Sequence, residues 1–246
     1  AEPAAAKHPE HLRLEFAAAD LSQIEAALAP TLSDDSLLSH LPFTRRGIPP
    51  WLANRSMDAD LFIARFSIRD AVLGPMSAHL NWQGTSVQLT NLQLSLPAGH
   101  LKGSGAIALT ARLPRYHFAM RVDGYPGGGV LSANGILDSS GTGPMVLQHL
   151  VATGEFSAQG VAFTGSDMFS ALSGRFNFAF DGDSPVLRLT SVEARQNDEA
   201  WSGEGASNPD GKLHLDLING ERQLHLVGNL TPAEGEARLL PAEASH

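Results

Sequence analysis

Leu101-Lys102-Gly103-Ser104-Gly105-Ala106-Ile107-Ala108-Leu109-Thr110-Ala111-Arg112-Leu113 alternates along its whole length. Leu101, Gly103, Gly105, Ile107, Leu109, Ala111 and Leu113 fall on one side. Lys102, Ser104, Thr110 and Arg112 fall on the other. Successive side chains of a strand point to opposite faces, so a period of two predicts a strand with one apolar face. Downstream, Tyr116, Phe118, Met120 and Val122 alternate with His117, Ala119, Arg121 and Asp123. Upstream, in residues 87–96, Val87 and Leu89 share one parity and Leu92, Leu94 and Leu96 the other. That phase change predicts a β-bulge near Asn91.

The same reading predicts strands over residues 61–68, 76–82, 130–137, 149–158, 172–180, 186–194, 212–218 and 223–230, separated by Gly, Pro, Asn and Asp. Phe176, Phe178 and Phe180 share a face, as do Leu213, Leu215 and Leu217. A short helical turn is expected at 167–172. Nearer the start, Leu12, Leu14 and Phe16 alternate in a short strand over 11–16. Asp20-Leu21-Ser22-Gln23 has capping-box spacing, and a helix follows until Pro30. A second short helix is expected over 33–41, and Pro49-Pro50-Trp51 can open a third turn. The expected organisation is a tail over 1–10, a mixed strand and helix part over 11–56, an antiparallel β-rich region over 57–232, and a tail over 233–246. The fold class is mainly β: a long curved antiparallel meander with a few short helices, mostly N-terminal. A meander of this length can close as a sandwich or stay open as a trough with an apolar interior.

Bulk properties narrow the function. With 43% hydrophobic residues, the 246-residue chain can bury a core. A net charge of −9 argues against nucleic acid as partner and against broad attachment to anionic lipid surfaces. The absence of cysteine excludes disulfides, thiol catalysis and Cys-based zinc sites. No apolar run reaches the roughly 18 residues of a spanning helix. The chain starts at Ala1 with no signal-peptide pattern, and is read as a mature form or a piece of something longer.

Catalytic motifs are not found. The chain has no G-x-S-x-G elbow, no phosphate-binding loop and no G-x-G-x-x-G leading into a helix. His8-Pro9-Glu10-His11 lacks zinc-protease spacing and falls in the expected tail. His214 and His225 are expected to be solvated neighbours on adjacent strands. Asp181-Gly182-Asp183 and Asn208-Pro209-Asp210-Gly211 are fragments of calcium loops without the remaining ligands, and read as hairpin turns. Gly127-Gly128-Gly129 reads as a turn, and Arg45-Arg46 as a solvated loop. A paired-carboxylate glycosidase would want more aromatic surface for sugar stacking than 7% supplies. No enzyme activity, cofactor or metal is expected.

Leu89-Thr90-Asn91-Leu92-Gln93-Leu94, then Pro97-Ala98-Gly99-His100-Leu101-Lys102-Gly103-Ser104-Gly105, then Leu113-Pro114-Arg115-Tyr116-His117-Phe118 resemble the C-terminal β-rich region of the AsmA family. That region has the same order: an alternating strand, a tight Gly turn, a Gly-containing strand, and a Pro-aromatic start to the next. Gly154-Glu155-Phe156 and Gly160-Val161-Ala162-Phe163-Thr164-Gly165-Ser166-Asp167 are similar to a later part of it. Ala19-Asp20-Leu21 with Leu28 and Pro30 is similar to a short helix before it. Where the family usually pairs glycines at the turn, this chain has Ala98-Gly99.

The resemblance implies a non-enzymatic, lipid-binding or lipid-transporting segment of a bacterial envelope protein. AsmA-like proteins and their TamB-like and chorein-like relatives are β-troughs with an apolar interior. They are anchored in the inner membrane, reach through the periplasm, and are associated with phospholipid transport and outer-membrane homeostasis. The implied partner is a phospholipid or other acyl lipid. Membrane contact would come through parts of the parent protein outside this chain. The expected groove-lining residues are Leu92, Leu94, Ile107, Leu109, Phe118, Met120, Phe176, Phe178, Leu215 and Leu226. Covering ten methylenes would contribute roughly 8 kcal/mol before ordering costs. Two rival classes stand beside this one. A carbohydrate-binding or adhesive β-sandwich would be compact, and a periplasmic spacer or assembly scaffold would be elongated. Both would carry no lipid.

Overall fold

The computed structural model describes residues 11–20, 55–68, 71–96, 99–109, 113–126, 130–141, 144–163, 166, 168–182, 184–208 and 211–229. The expected tails, the helices expected between 21 and 54, the Arg45-Arg46 pair and Gly127–Gly129 lie outside them.

The described strands are β1 (His11–Phe16), β2 (Ala19–Asp20), β3 (Ser56–Ile63), β4 (Phe66–Ile68), β5 (Ala71–Val72), β6 (Met76–Gln83), β7 (Ser86–Leu96), β8 (Gly99–Ala108), β9 (Arg115–Pro126), β10 (Val130–Ser140), β11 (Val151–Gln159), β12 (Ala171–Asp181), β13 (Ser184–Gln196), β14 (Glu199–Ser207), β15 (Lys212–Asn219) and β16 (Arg222–Asn229). The helix α1 (Pro144–Gln148) falls between β10 and β11. Thirteen strands share one sheet in the order β1-β3-β6-β7-β8-β9-β10-β11-β12-β13-β14-β15-β16. The order does not close on itself. From β6 onward each strand lies beside its successor in the chain. The protein is therefore mainly β, an open and mostly antiparallel meander. β2, β4 and β5 make a second, small sheet.

Tight turns explain the meander. Asp181 pairs with Ser184, Gln196 with Glu199 and Asn219 with Arg222, each across a two-residue loop. Asn197 and Asp198 both have positive φ, at 48° and 66°, as a type I′ turn requires. Asp181 and Ser184 are thus the paired ends of a hairpin, with Gly182 at positive φ (63°) after Asp181. Between β14 and β15 the connection is longer: Ser207 pairs with Leu213, Asn208 N–H donates to the Lys212 carbonyl, and Gly211 N–H donates to the Asn208 carbonyl. Two pairings depart from the antiparallel rule: β2 runs parallel to β4 in the small sheet, and β1 runs parallel to β3 in the main one. The long stretch between them leaves the chain free to return in the same direction, which parallel pairing demands.

The chain divides into two compact units. Unit 1 takes residues up to Val122 together with Ile136–Leu150. Unit 2 takes Asp123–Gly135 and everything from Val151 on. Unit 2 is built around one cluster of twelve buried residues, including Val161, Phe169, Leu189, Val192, Trp201, Leu215 and Leu217. Among the described residues, unit 1 has two smaller clusters. One is Trp82, Val87 and Leu109, and the other is Ile63, Phe66 and Leu94.

The two units repeat one strand pattern. In unit 1, Leu80 pairs with Leu89, which pairs with Gly105, and Leu92 pairs with Gly103. In unit 2, Phe176 pairs with Leu189, which pairs with Gly205, and Val192 pairs with Gly203. Both ladders slip at the same place, and the slipped residue has positive φ in both: Asn91 at 53° and Ser191 at 51°. The sequences follow the register. Ser77-Ala78-His79-Leu80-Asn81-Trp82 matches Ser173-Gly174-Arg175-Phe176-Asn177-Phe178. Val87-Gln88-Leu89-Thr90-Asn91-Leu92 matches Leu187-Arg188-Leu189-Thr190-Ser191-Val192, and Gly103-Ser104-Gly105-Ala106 matches Gly203-Glu204-Gly205-Ala206. β3 likewise corresponds to β11: Ala59 pairs with Leu80 as Gly154 pairs with Phe176. Strands β3 and β6–β9 are a first copy of what β11–β15 repeat.

Several strand expectations need correction. Residues 61–68 are not one strand. The chain leaves the main sheet after Ile63, and β4 joins β2, because Ala19 N–H donates to the Arg65 carbonyl and Phe66 is buried against Ile63 and Leu94. β8 runs to Ala108, Leu109 N–H still donates across to the Thr85 carbonyl, and residues 110–112 of the expected strand lie outside the described residues. No helical turn forms at the described residues of 167–172. Phe169 bridges back to Val161 and is wholly buried, which draws that segment onto the sheet. β14 and α1 were not expected. Pro144 opens α1, where its missing N–H costs nothing.

Candidate functional site

The bulge at Asn91 determines which residues share the apolar face. Without it, Val87 and Leu92 would point to opposite sides. With it, Val87 lies opposite Ile107 and Leu92 opposite Gly103, and Ile107 and Gly103 are on the same side of β8. Leu94 pairs with Leu101 on that side too. The next strand completes the surface. A Cβ on Gly105 would collide with the Phe118 ring, and one on Gly103 would lie 3.1 Å from Met120 Cγ. Phe118 and Met120 therefore lie across two glycines of β8, so both rows stay close. Gly174 similarly leaves room for Phe156, and Gly154 pairs with Phe176.

The ten expected groove residues separate by burial. Leu92, Leu94, Leu109, Leu215 and Leu226 are buried. Ile107, Phe118 and Met120 in unit 1, and Phe176 and Phe178 in unit 2, are half-buried. The copies sharpen the contrast. Leu215 and Leu217 stand opposite Gly205 and Gly203, where Phe118 and Met120 stand over Gly105 and Gly103. Leu215 is 0% and Leu217 1% exposed, within the unit 2 core that Val161 and Phe169 help to close. Phe118 and Met120 remain reachable from solvent. Leu215 and Leu226 thus belong to a dry core.

The opposite face is polar and carries histidine–aspartate pairs across strands. On β1, β3 and β6, His11 Nδ1 lies 2.5 Å from Asp58 Oδ1, and His11 Nε2 lies 3.0 Å from Asp60 Oδ2. His79 Nδ1 is 3.0 Å from Asp60 Oδ1, and His79 Nε2 is 3.3 Å from Asp58 Oδ2. Hydrogen bonding to Asp58, then to Asp60, raises the His11 pKa. The His11 contact lowers that of Asp58, and the contacts with His79 and then His11 lower that of Asp60. Further pairs join His117 to Asp138, at 2.7 Å, and His225 to Asp216. His214 and His225 are indeed neighbours, with ring centroids 5.8 Å apart, and Asn208 contacts His214. His11 does not lie in a tail. It begins β1, and backbone pairing of His11 with Asp58 carries it into this cluster.

The sequence reading missed the His11, Asp58, Asp60 and His79 group. The signal was present as alternation, Asp58 and Asp60 on one strand with His79 and Asn81 on another, but only the register brings them together. Among the described residues, no helix is long and apolar enough to cross a membrane. Comparisons of the chain with protein-family models, curated proteins and solved structures found no match.

Proposed function

We propose that this chain is a lipid-handling segment of an AsmA-like envelope protein, working in the periplasm, and that the apolar face of β8 and β9 is where an acyl chain lies. One observation carries this reading. At equivalent positions of the repeat, Leu215 and Leu217 are sealed in a core while Phe118 and Met120 are only partly buried. A folded chain gains about 25 cal/mol for each Å² of apolar surface removed from water. A half-covered Phe and Met beside Ile107 leave such surface for an apolar ligand. The contacts offered are non-directional, so they fit a methylene chain better than a sugar, whose hydroxyls need fixed hydrogen-bonding partners. The resemblance to the AsmA C-terminal region supports the same class.

The test is mass spectrometry of lipid co-purified with the full chain in the absence of detergent. Phospholipid bound to the parent and lost from Phe118→Asp, with an unchanged far-UV spectrum, is the expected outcome. A parent protein free of lipid would sink the reading and leave a spacer or a carbohydrate-binding module as the better account.

A further inference from the structure

The polar cluster on β1, β3 and β6 holds two imidazoles and two carboxylates, and its atoms are arranged in two tiers. One nitrogen of each ring faces Asp58: Nδ1 of His11 and Nε2 of His79. The other nitrogen of each ring faces Asp60: Nε2 of His11 and Nδ1 of His79, both at 3.0 Å. The rings stack at a centroid distance of 6.0 Å and an interplanar angle of 20°. A neutral imidazole has one N–H and one lone pair. In the tautomer in which each ring donates its N–H to Asp60, both lone pairs face Asp58, and a cation between them would take the place of the proton that joins His11 to Asp58.

We propose that His11, His79 and Asp58 bind a divalent transition-metal ion of the zinc type, with Asp60 orienting the two imidazoles. One ligand atom from each of the three lies within 4.8 Å of the others. Zinc bonds of about 2.0–2.1 Å set tetrahedral ligands roughly 3.3 Å apart, so small side-chain rotations close the site. Two nitrogens and one carboxylate oxygen suit zinc and its neighbours, whereas calcium and magnesium require oxygen. A carboxylate holding the far nitrogen of a metal-bound histidine is a recurring outer support. Three protein ligands leave a fourth position open to water.

The repeat supplies an independent comparison. In the second copy, Thr153, Glu155 and Arg175 occupy the positions of Asp58, Asp60 and His79. Glu155 and Arg175 make an ordinary ion pair at 3.9 Å. The equivalent cross-strand position thus carries an exposed charge pair and no set of metal ligands. The first copy has instead two carboxylates and a histidine, and β1 adds a second histidine from 47 residues away in sequence.

Zinc titrated calorimetrically into the EDTA-stripped full chain near neutral pH tests this. One zinc per chain is expected. His79→Arg, which retains a charge partner for Asp60 as in the second copy, should lose affinity about tenfold or more, and Asp60→Asn about 10- to 100-fold. Asp216→Asn combined with His225→Gln, at the other histidine pair, should change nothing. Zinc should also slow amide exchange in β1 of the parent but not of His79→Arg. Absence of zinc binding at micromolar concentration, or equal binding by parent, His79→Arg and Asp60→Asn, would overturn the site. The second outcome would identify the zinc as adventitious, held by other histidines.

Discussion

Single glycines govern this sheet where neighbouring strands come closest. A Cβ on Gly203 would fall on the carbonyl oxygen of Asp216, and backbone cannot move aside as a side chain can. Gly203→Ala should therefore lower stability by about 1–3 kcal/mol. The urea midpoint should fall with an unchanged slope. Gly182→Ala makes a useful contrast. Its added methyl would meet nothing within 4 Å, but φ is +63°, so only the left-handed backbone is penalised, by about 1–2 kcal/mol. Glycine also explains why β14 was invisible in the sequence. Its inward positions are Trp201, Gly203, Gly205 and Ser207, and three of the four carry no hydrophobic signal. Phe118 and Met120 were legible as a pair, because alternation tells which face a residue takes. Their exposure was not, because parity says nothing about what covers that face.

At the level of the strand, a bulge preserves the apolar side. β7 and β13 each change parity midway, and each returns its second half to the inner face through one left-handed residue. Asn91 could be read in advance: Asn tolerates positive φ, and leucines flank it in clear opposite phase. Ser191 escaped, because the second half of β13 offers only Val192 and a small Ala194 to mark the new phase. Ser191→Gly should stabilise the protein by about 1 kcal/mol, since glycine meets no Cβ penalty there. Ser191→Val should destabilise it by about 1–3 kcal/mol. Paired urea titrations check both signs, and a stabilising valine would refute the bulge geometry. The helix expected at 167–172 failed for a different reason. Local polar spacing was outweighed by burial of Phe169, a tertiary contact that no window of that length contains.

For the molecule as a whole, the two units differ in how their apolar residues are gathered. Among the described residues, unit 2 has one cluster of twelve, and unit 1 has two of three. Amide protection follows the depth of the local core. Native-state hydrogen exchange should therefore be slower in β12–β15 than in β6–β8. The reverse order would show that the half-exposed face of unit 1 is covered more firmly than its described residues indicate. The meander was legible from alternation alone, but the repeat was not. Corresponding strands are offset by unequal lengths, so the match emerges only after the pairing register aligns them.

That repeat sets a unit of growth. Neighbouring strands lie about 4.7–4.9 Å apart, and β11 stands six places after β3 in the sheet order. Evolution could lengthen such a sheet by about 29 Å per duplication while every internal contact stayed as it was, much as a ruler is extended by whole segments. A chain made this way would grow in steps of six strands, with each new segment free to keep its face open or to seal it.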